Sequence, residues 1–224
     1  MNGQKSGSVA ILGIFVADTS FRAPRQPKMG ETLIGNAFKL GPGGKGSNQS
    51  VAVARLGTQV SIITSLGNDD FAEIALNTWN KAGVDAVVTR VADNYTGAAY
   101  IFIEEESGNN AIIVCPGAAS TISAEQVEKA SATIENADVF ITQLEQPVEA
   151  ARRGLEIAHT AGVTTIFNPA PAVPVDDTIF PLCDYVTPNE SETEALTGIA
   201  VRRTENLLRL TFLGDPRCVS IRDT

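Results

Sequence analysis

Histidine is almost missing from this sequence. His159, in the stretch LEIAHTAG, is the only one among 224 residues. A Ser-His-Asp relay or a histidine-ligated metal would have to rest on it alone. Its place near the end of a helix-like run suits an ordinary histidine, which the helix dipole favours there. Cysteine is scarce too. Cys115, Cys183 and Cys218 are scattered, odd in number and never spaced as CxxC. Neither a disulfide framework nor a cysteine zinc site is implied, which fits a reducing cytoplasm. Positive charge is also short: 17 Lys and Arg stand against 26 Asp and Glu, a net charge of −9. A nucleic-acid partner would call for a basic field, and none is present. No apolar run reaches the ~18 residues of a membrane span. The longest candidate, VAILGIFVA (9–17), has only Lys5 before it and no clean cleavage site after it. It reads as a buried first strand rather than a leader or a span.

With 43% hydrophobic residues, the chain can bury one sizeable core. Short β-branched apolar runs alternate with helix-period segments. SVAILGIF, QVSIITSLG, DVFITQL, VTTIFN and DYVTPN read as strands. SNQSVAVARLG, DDFAEIALNTWNKAG, SAEQVEKASATIENA, PVEAARRGLEIAHTAG and ESETEALTG read as helices. Ser123 and Gln126 form a capping-box pair, and Gly57 and Gly83 stand where helices stop. Continuous apolar strands alternating with helices predict a parallel sheet covered on both faces. Two segments break this rhythm. Residues 18–40 are punctuated by proline and glycine, and residues 97–114 read as a hairpin around ESGNN. Together they make a small antiparallel sheet standing off the core, or else decorated loops. As a sheet, it is placed to act as a lid over the strand ends where α/β ligands bind.

The stretch GPGGKGSNQS (41–50) carries the chemistry. It is not a P-loop, because Gly46 follows Lys45 where Ser or Thr is required. Nor is it a dinucleotide fingerprint, since some 27 residues separate it from the first strand. That removes the main argument for a dinucleotide-dependent oxidoreductase. Adjacent glycines let backbone N–H groups approach a small polar ligand. Ser47 or Asn48 can cap the following helix, whose N-terminus favours electron-rich groups. Lys45 adds charged donors, and the Asn48 amide can serve a hydroxyl as donor or acceptor. This chemistry suits a polyol such as a sugar; a tight turn entering a helix is the alternative.

GPGGKGSNQSVAVARLG resembles the first signature of the ribokinase, or PfkB-type, carbohydrate kinases. GIFVAD, TGAAYIFI, TQLEQP, FNPAPA and YVTPNESETEALTG follow in that family's order, so the resemblance spans residues 8–200. It implies a ribokinase-like α/β fold, with a doubly wound, mostly parallel sheet over residues 1–200 and a small β-sheet lid. It implies ATP-dependent phosphorylation of a sugar hydroxyl, and a homodimer formed through the lid. By the same resemblance Asp18, Gly43, Gly44, Lys45, Asn48 and Glu145 would bind the sugar. Asn189 would lie by the nucleotide phosphates, and Glu192 would organise Mg2+ through water. Asn189 and Glu192 are also spaced as a helix cap and its partner, and Glu145 as an ordinary polar residue at a strand end. Asp18 can equally start a turn after the first strand.

Two departures qualify the resemblance. Val16 stands where ribokinases have an asparagine that serves the sugar, which puts ribose in doubt and favours a deoxy or differently arranged sugar. The family's second signature, a Gly-Ala-Gly-Asp turn supplying the general base and an anion hole, does not occur, so no catalytic base can be assigned. Most of the adenine site and the K+ site of relatives that use one belong to the same segment. Residues 201–224 are instead arginine-rich and are expected to be out of frame, truncated or divergent. A chain without those strands and helices is expected to be poorly soluble or oligomeric, and inactive alone. The other reading is a non-catalytic sugar-binding or dimerising fragment.

Overall fold

The computed structural model describes residues 7–198 and the pair 217–218. Eleven strands and six helices are seen among the described residues. The main sheet holds seven strands: β1 (Ser8–Leu12), β4 (Gln59–Leu66), β5 (Asp85–Arg90), β8 (Val139–Thr142), β9 (Thr164–Phe167), β10 (Tyr185–Val186) and β11 (Arg217–Cys218). Their order is β11-β10-β9-β8-β1-β4-β5, and every neighbouring pair is parallel. The two-residue strands at 185–186 and 217–218 are the shortest of the seven. Strand β11 falls in the stretch where no strand was expected. The rest of the expected atypical tail, 201–224, lies outside the described residues.

Alternation along β1 explains why both faces are covered. Ala10 and Leu12 join the core that contains α3 (Ala124–Lys129), α4 (Ser131–Glu135) and α5 (Val148–Ala161). Ile11 joins the core that contains α2 (Asp70–Ala82) and the apolar side of α1 (Lys45–Arg55). The sheet is therefore doubly wound, as the strand–helix rhythm predicts. Its last described helix, α6 (Glu190–Thr197), follows β10. None of these helices is long and apolar enough to cross a membrane.

The second sheet is built from β2 (Val16–Ala23), β3 (Ala37–Gly43), β6 (Thr96–Glu104) and β7 (Asn110–Gly117), in the order β3-β2-β6-β7. It corrects the expected antiparallel arrangement: β2 and β6 pair in parallel, so the sheet is mixed. The reason is connectivity, because both strands leave the same edge of the main sheet and run outward together. Paired residues share a face, which sets Asp18 beside Gly41 of β3 and Ala99 of β6. The sheet also exposes large apolar groups, among them Phe21, Phe38, Leu40 and Ile113. Phe21 packs on both Phe38 and Tyr100, with ring centroids 5.0 and 5.6 Å apart.

Three further expectations are corrected. VAILGIFVA is not one strand: β1 ends at Leu12, and Val16 and Ala17 already belong to β2. The break falls at Gly13, where an added Cβ would stand 2.7 Å from the Gly46 Cα. SAEQVEKASATIENA forms two short helices, α3 and α4, that meet at Ala130. Its Ser123–Gln126 capping box is present. Finally, neither Ser47 nor Asn48 caps α1. The helix starts earlier, at Lys45, and Gly44 precedes it without any side-chain cap.

Candidate functional site

All strands of the main sheet run the same way, so their C-terminal ends form one edge. From β1 the order runs to β4 and β5 on one side and to β8, β9 and β10 on the other. A crevice opens where connections diverge in this manner. The loop after β8 and the start of α1 meet at this edge. Ser47 N–H donates to the Ile14 carbonyl at 3.2 Å, just beyond β1. Lys45 N–H donates to Glu145 Oε2 at 2.6 Å, although the two residues are 100 positions apart. Helix α1 thus has its N-terminal charge met by a carboxylate from a different element, where the dipole favours one.

The glycines have packing reasons of their own. Gly44 adopts φ 90°, a left-handed conformation that side chains resist, and an added Cβ would lie 2.5 Å from the Ile14 oxygen. A Cβ on Gly43 would run into the Asp18 carboxylate itself. The Asp18 side chain therefore lies over bare backbone, on strand β2 rather than in a turn. Asp18, Gly43, Gly44, Lys45 and Glu145 are brought together. Lys45 and Glu145 are half-buried, as is Asp18, whereas Asn48, one turn into α1, is exposed.

Electrostatically this corner is strained by two carboxylates. Burial pushes the Asp18 carboxyl above the usual aspartate range. Glu145 is also raised, first by burial and further by the Asp18 charge. The Lys45 N–H and the Lys45 ammonium pull it back without cancelling the rise. Two acceptors, a helix N-terminus and an ammonium group converge here. Such a set can exchange hydrogen bonds with several vicinal hydroxyls, and charged partners make the stronger bonds.

Val16 is packed rather than presented. It is 4% exposed, and its Cγ1 would stand 2.9 Å from a Cβ on Gly97. Beside Asp18 it adds bulk but no donor or acceptor.

Two glutamines escaped the sequence reading. Gln143 is wholly buried and Gln146 nearly so. Gln146 Nε2 donates to Thr142 Oγ1 at 2.8 Å and to the Gln143 carbonyl at 2.6 Å, which pins the loop. Leu144 N–H adds a bond to the Ala170 carbonyl at 3.0 Å. Gln143 Nε2 donates to Gln49 Oε1 on α1. The Oε1 atom of each of Gln143 and Gln146 has no partner among the described residues. Polar residues at the end of an apolar strand, in TQLEQP, were the available signal. Trp79 was also missed as a site neighbour: its Nε1 donates to Ser47 Oγ at 3.0 Å.

Asn189 and Glu192 lie apart from this corner, where α6 follows β10 along the same edge. Asn189 Oδ1 accepts from Glu192 N–H, and Glu192 Oε2 accepts from Asn189 N–H, both at 2.8 Å. This is a complete capping box, with Glu192 only 8% exposed. Among the described residues no group of three or more Asp, Glu, His or Cys is set to hold a metal. Mg2+ keeps several waters and needs only one or two carboxylates beside phosphate oxygens. Glu192, with one oxygen engaged by Asn189, fits that lighter demand.

A doubly wound α/β unit carrying a small sheet, with a polyol-type donor and acceptor set at the switch point, defines a class of small-molecule binding folds. Comparison with known proteins makes this specific. The pfkB family carbohydrate kinase profile matches residues 6–213, and the chain belongs to that family. The match runs past Val201, where the motif resemblance had been expected to stop. Ribokinase of Haemophilus influenzae is 37% identical over 195 residues, 87% of this chain and 63% of that protein. Deoxyribokinase of Salmonella typhi is 34% identical over 195 residues, 86% of this chain and 63% of that protein. The chain thus spans somewhat under two thirds of these relatives' length. Arabidopsis thaliana ribokinase, solved with ribose and ATP, superposes with a TM-score of 0.86 at 24% identity. The superposition covers 97% of this chain and 72% of that one.

Proposed function

We propose that this chain carries the sugar-binding part of an ATP-dependent kinase that phosphorylates a hydroxyl of a small sugar. The observation that carries the reading is the corner formed by Asp18, the Lys45 N–H and Glu145. Glu145 accepts from a sugar hydroxyl, Asp18 accepts from others, and the Lys45 ammonium and Asn48 amide donate in return. The small sheet, which carries Asp18, is the lid over this corner. Val16 is packed into the core and supplies no hydrogen bond from its position beside Asp18, and a deoxy sugar is therefore expected to fit better than ribose. The resemblance to both ribokinase and deoxyribokinase supports this range of substrates.

ATP, when bound, supplies the γ-phosphoryl group. In this reading Asn189 would lie by its phosphates and Glu192 would hold Mg2+ through water. Phosphoryl transfer depends on positioning and charge stabilisation. The 224 residues contain no Gly-Ala-Gly-Asp turn to supply a base and anion hole, so on their own they bind sugar without transferring phosphate. Calorimetry with ribose and 2-deoxyribose, run beside an ADP-release assay, tests this. Heat of binding for either sugar without ADP release is expected, with the deoxy sugar bound more tightly. No binding of either sugar defeats the reading. ADP release that depends on sugar defeats the inactivity.

A second copy of the chain is the expected partner. The exposed Phe21, Phe38, Leu40 and Ile113 form an apolar surface on the lid of the kind that monomers seldom leave bare. Sedimentation should show a dimer that Phe38→Asp converts to a monomer.

A further inference from the structure

We propose that Gln143 is a positioning residue for the sugar site, the hydrogen bond that its side-chain amide donates to Gln49 holding the loop that carries Glu145 in register with the start of α1. The proposal rests on the reading of this corner as a sugar site.

Four observations lead to it. First, Gln143 is completely buried, yet it is not satisfied as a core residue would be. Its Oε1 has no hydrogen-bond partner among the described residues. An apolar side chain of the same length would fill the space without leaving an acceptor bare. Second, the one bond that its amide does make crosses between elements, to Gln49 on α1. Third, that bond runs beside the functional one. Gln143 and Glu145 are two residues apart in the same loop, and Gln49 lies one helical turn beyond Lys45, so both stand on the same side of α1. The loop therefore meets the helix through two rungs, Glu145 to the Lys45 N–H and Gln143 to Gln49. Fourth, the Gln143 rung sits over a close backbone approach at the site, between Gly13 and Gly46. A Cβ on Gly13 would stand 2.6 Å from Gln143 Oε1 and 2.7 Å from the Gly46 Cα. The amide, Gly13 and Gly46 close the wall behind Lys45.

The two rungs differ in what a ligand does to them. The Glu145 rung ends on a carboxylate that must also accept from a sugar hydroxyl, with Asp18 and Lys45 facing it. The Gln143 rung is neutral and removed from the ligand, so it persists while Glu145 changes partners. Without it, the loop and the helix are tied at that point by the carboxylate alone.

The test uses the 224-residue chain with Gln143→Met, Gln49→Met and the double variant. Two quantities are read: the Glu145 carboxyl titration by carbon-13 NMR without sugar, and the affinity for 2-deoxyribose by calorimetry. Loosening the rung weakens the Lys45 N–H bond that pulls Glu145 down, so its midpoint should rise in each variant. Sugar affinity should fall about tenfold, and the double variant should be no worse than either single one. Gln49 is only half-buried, so Gln49→Met reads the same bond even if Gln143→Met fails to fold. A residue with a merely structural role would lower the melting temperature and leave the Glu145 titration in place. An unmoved titration in the folded variants overturns the proposal. If the unaltered chain binds neither ribose nor 2-deoxyribose, the sugar-kinase reading fails instead, and the titration still decides the role of Gln143.

Discussion

Two helix N-termini face the same edge of the main sheet, and they are finished in different ways. Helix α6 caps itself: Asn189 and Glu192 exchange both bonds within three residues, and little is left over. Helix α1 has no side-chain cap, and its first N–H is met by Glu145 from a loop 100 residues away. The self-contained end is stable on local terms. The other is completed only by the tertiary fold, at the cost of two raised carboxyls and a bare amide oxygen. Surplus polar capacity of that kind is what a ligand with several hydroxyls can use. The contrast fits the proposed reading, in which α1 is the sugar end and α6 has a lighter duty beside phosphate.

The comparison can be broken most directly at Glu145. Glu145→Ala removes a charged acceptor, and sugar affinity should fall about 100-fold, at the upper end of what one charge-assisted bond contributes. Calorimetry measures it; a loss below threefold would place the sugar elsewhere. Gly43→Ala should rank next. Its methyl group needs the space of the Asp18 carboxylate, so affinity should drop about tenfold or more through a displaced Asp18. The same calorimetric series reads it, and an unchanged affinity would exclude Asp18 as a sugar ligand. Asn189→Ala sharpens the other side of the comparison. Losing the cap of α6 should reduce stability by about 1 kcal/mol in denaturant unfolding.

The smallest expected effect depends on pH. The folded state holds Glu145 above its ordinary value of 4.5, chiefly through burial. Its contribution to stability is therefore fully present below 4.5 and is lost as pH rises through the raised folded value. Glu145→Gln should melt above the parent chain at pH 7 and lose that advantage near pH 4, while binding sugar less well. Thermal scans at the two pH values check it. A variant that melts below the parent at pH 7 would show that the carboxylate is stabilising where it sits.

Much of this was legible in the sequence because it is local. The Ser123–Gln126 and Asn189–Glu192 capping boxes are three-residue patterns, and the apolar runs of β1, β4 and β8 announce a parallel sheet. The first helix was read two or three residues late. Nothing local marks Lys45 as its start when the group that meets it is Glu145. The parallel pairing of β2 with β6 joins segments some 80 residues apart and was invisible for the same reason. Among candidate site residues, Asp18, Gly43, Lys45 and Glu145 were chosen through family motifs, and the fold brings them together. Gln143 lies inside TQLEQP, but the motif singles out Glu145 and gives Gln143 no role. Its part emerges only when Gly13, Gly46 and Gln49 are seen around it.

The indole of Trp79 now acquires a use. It is the only tryptophan in the chain, fully buried, edge-on to Phe15 with centroids 5.8 Å apart, and it donates to Ser47 two residues past Lys45. Its fluorescence therefore comes from one place, behind the first turn of α1, with no other indole to dilute it. A sugar that tightens the first turn of α1 shifts the field at that ring, and the emission band should move with it. Ligands can then be ranked by light alone, in dilute solution and without a label.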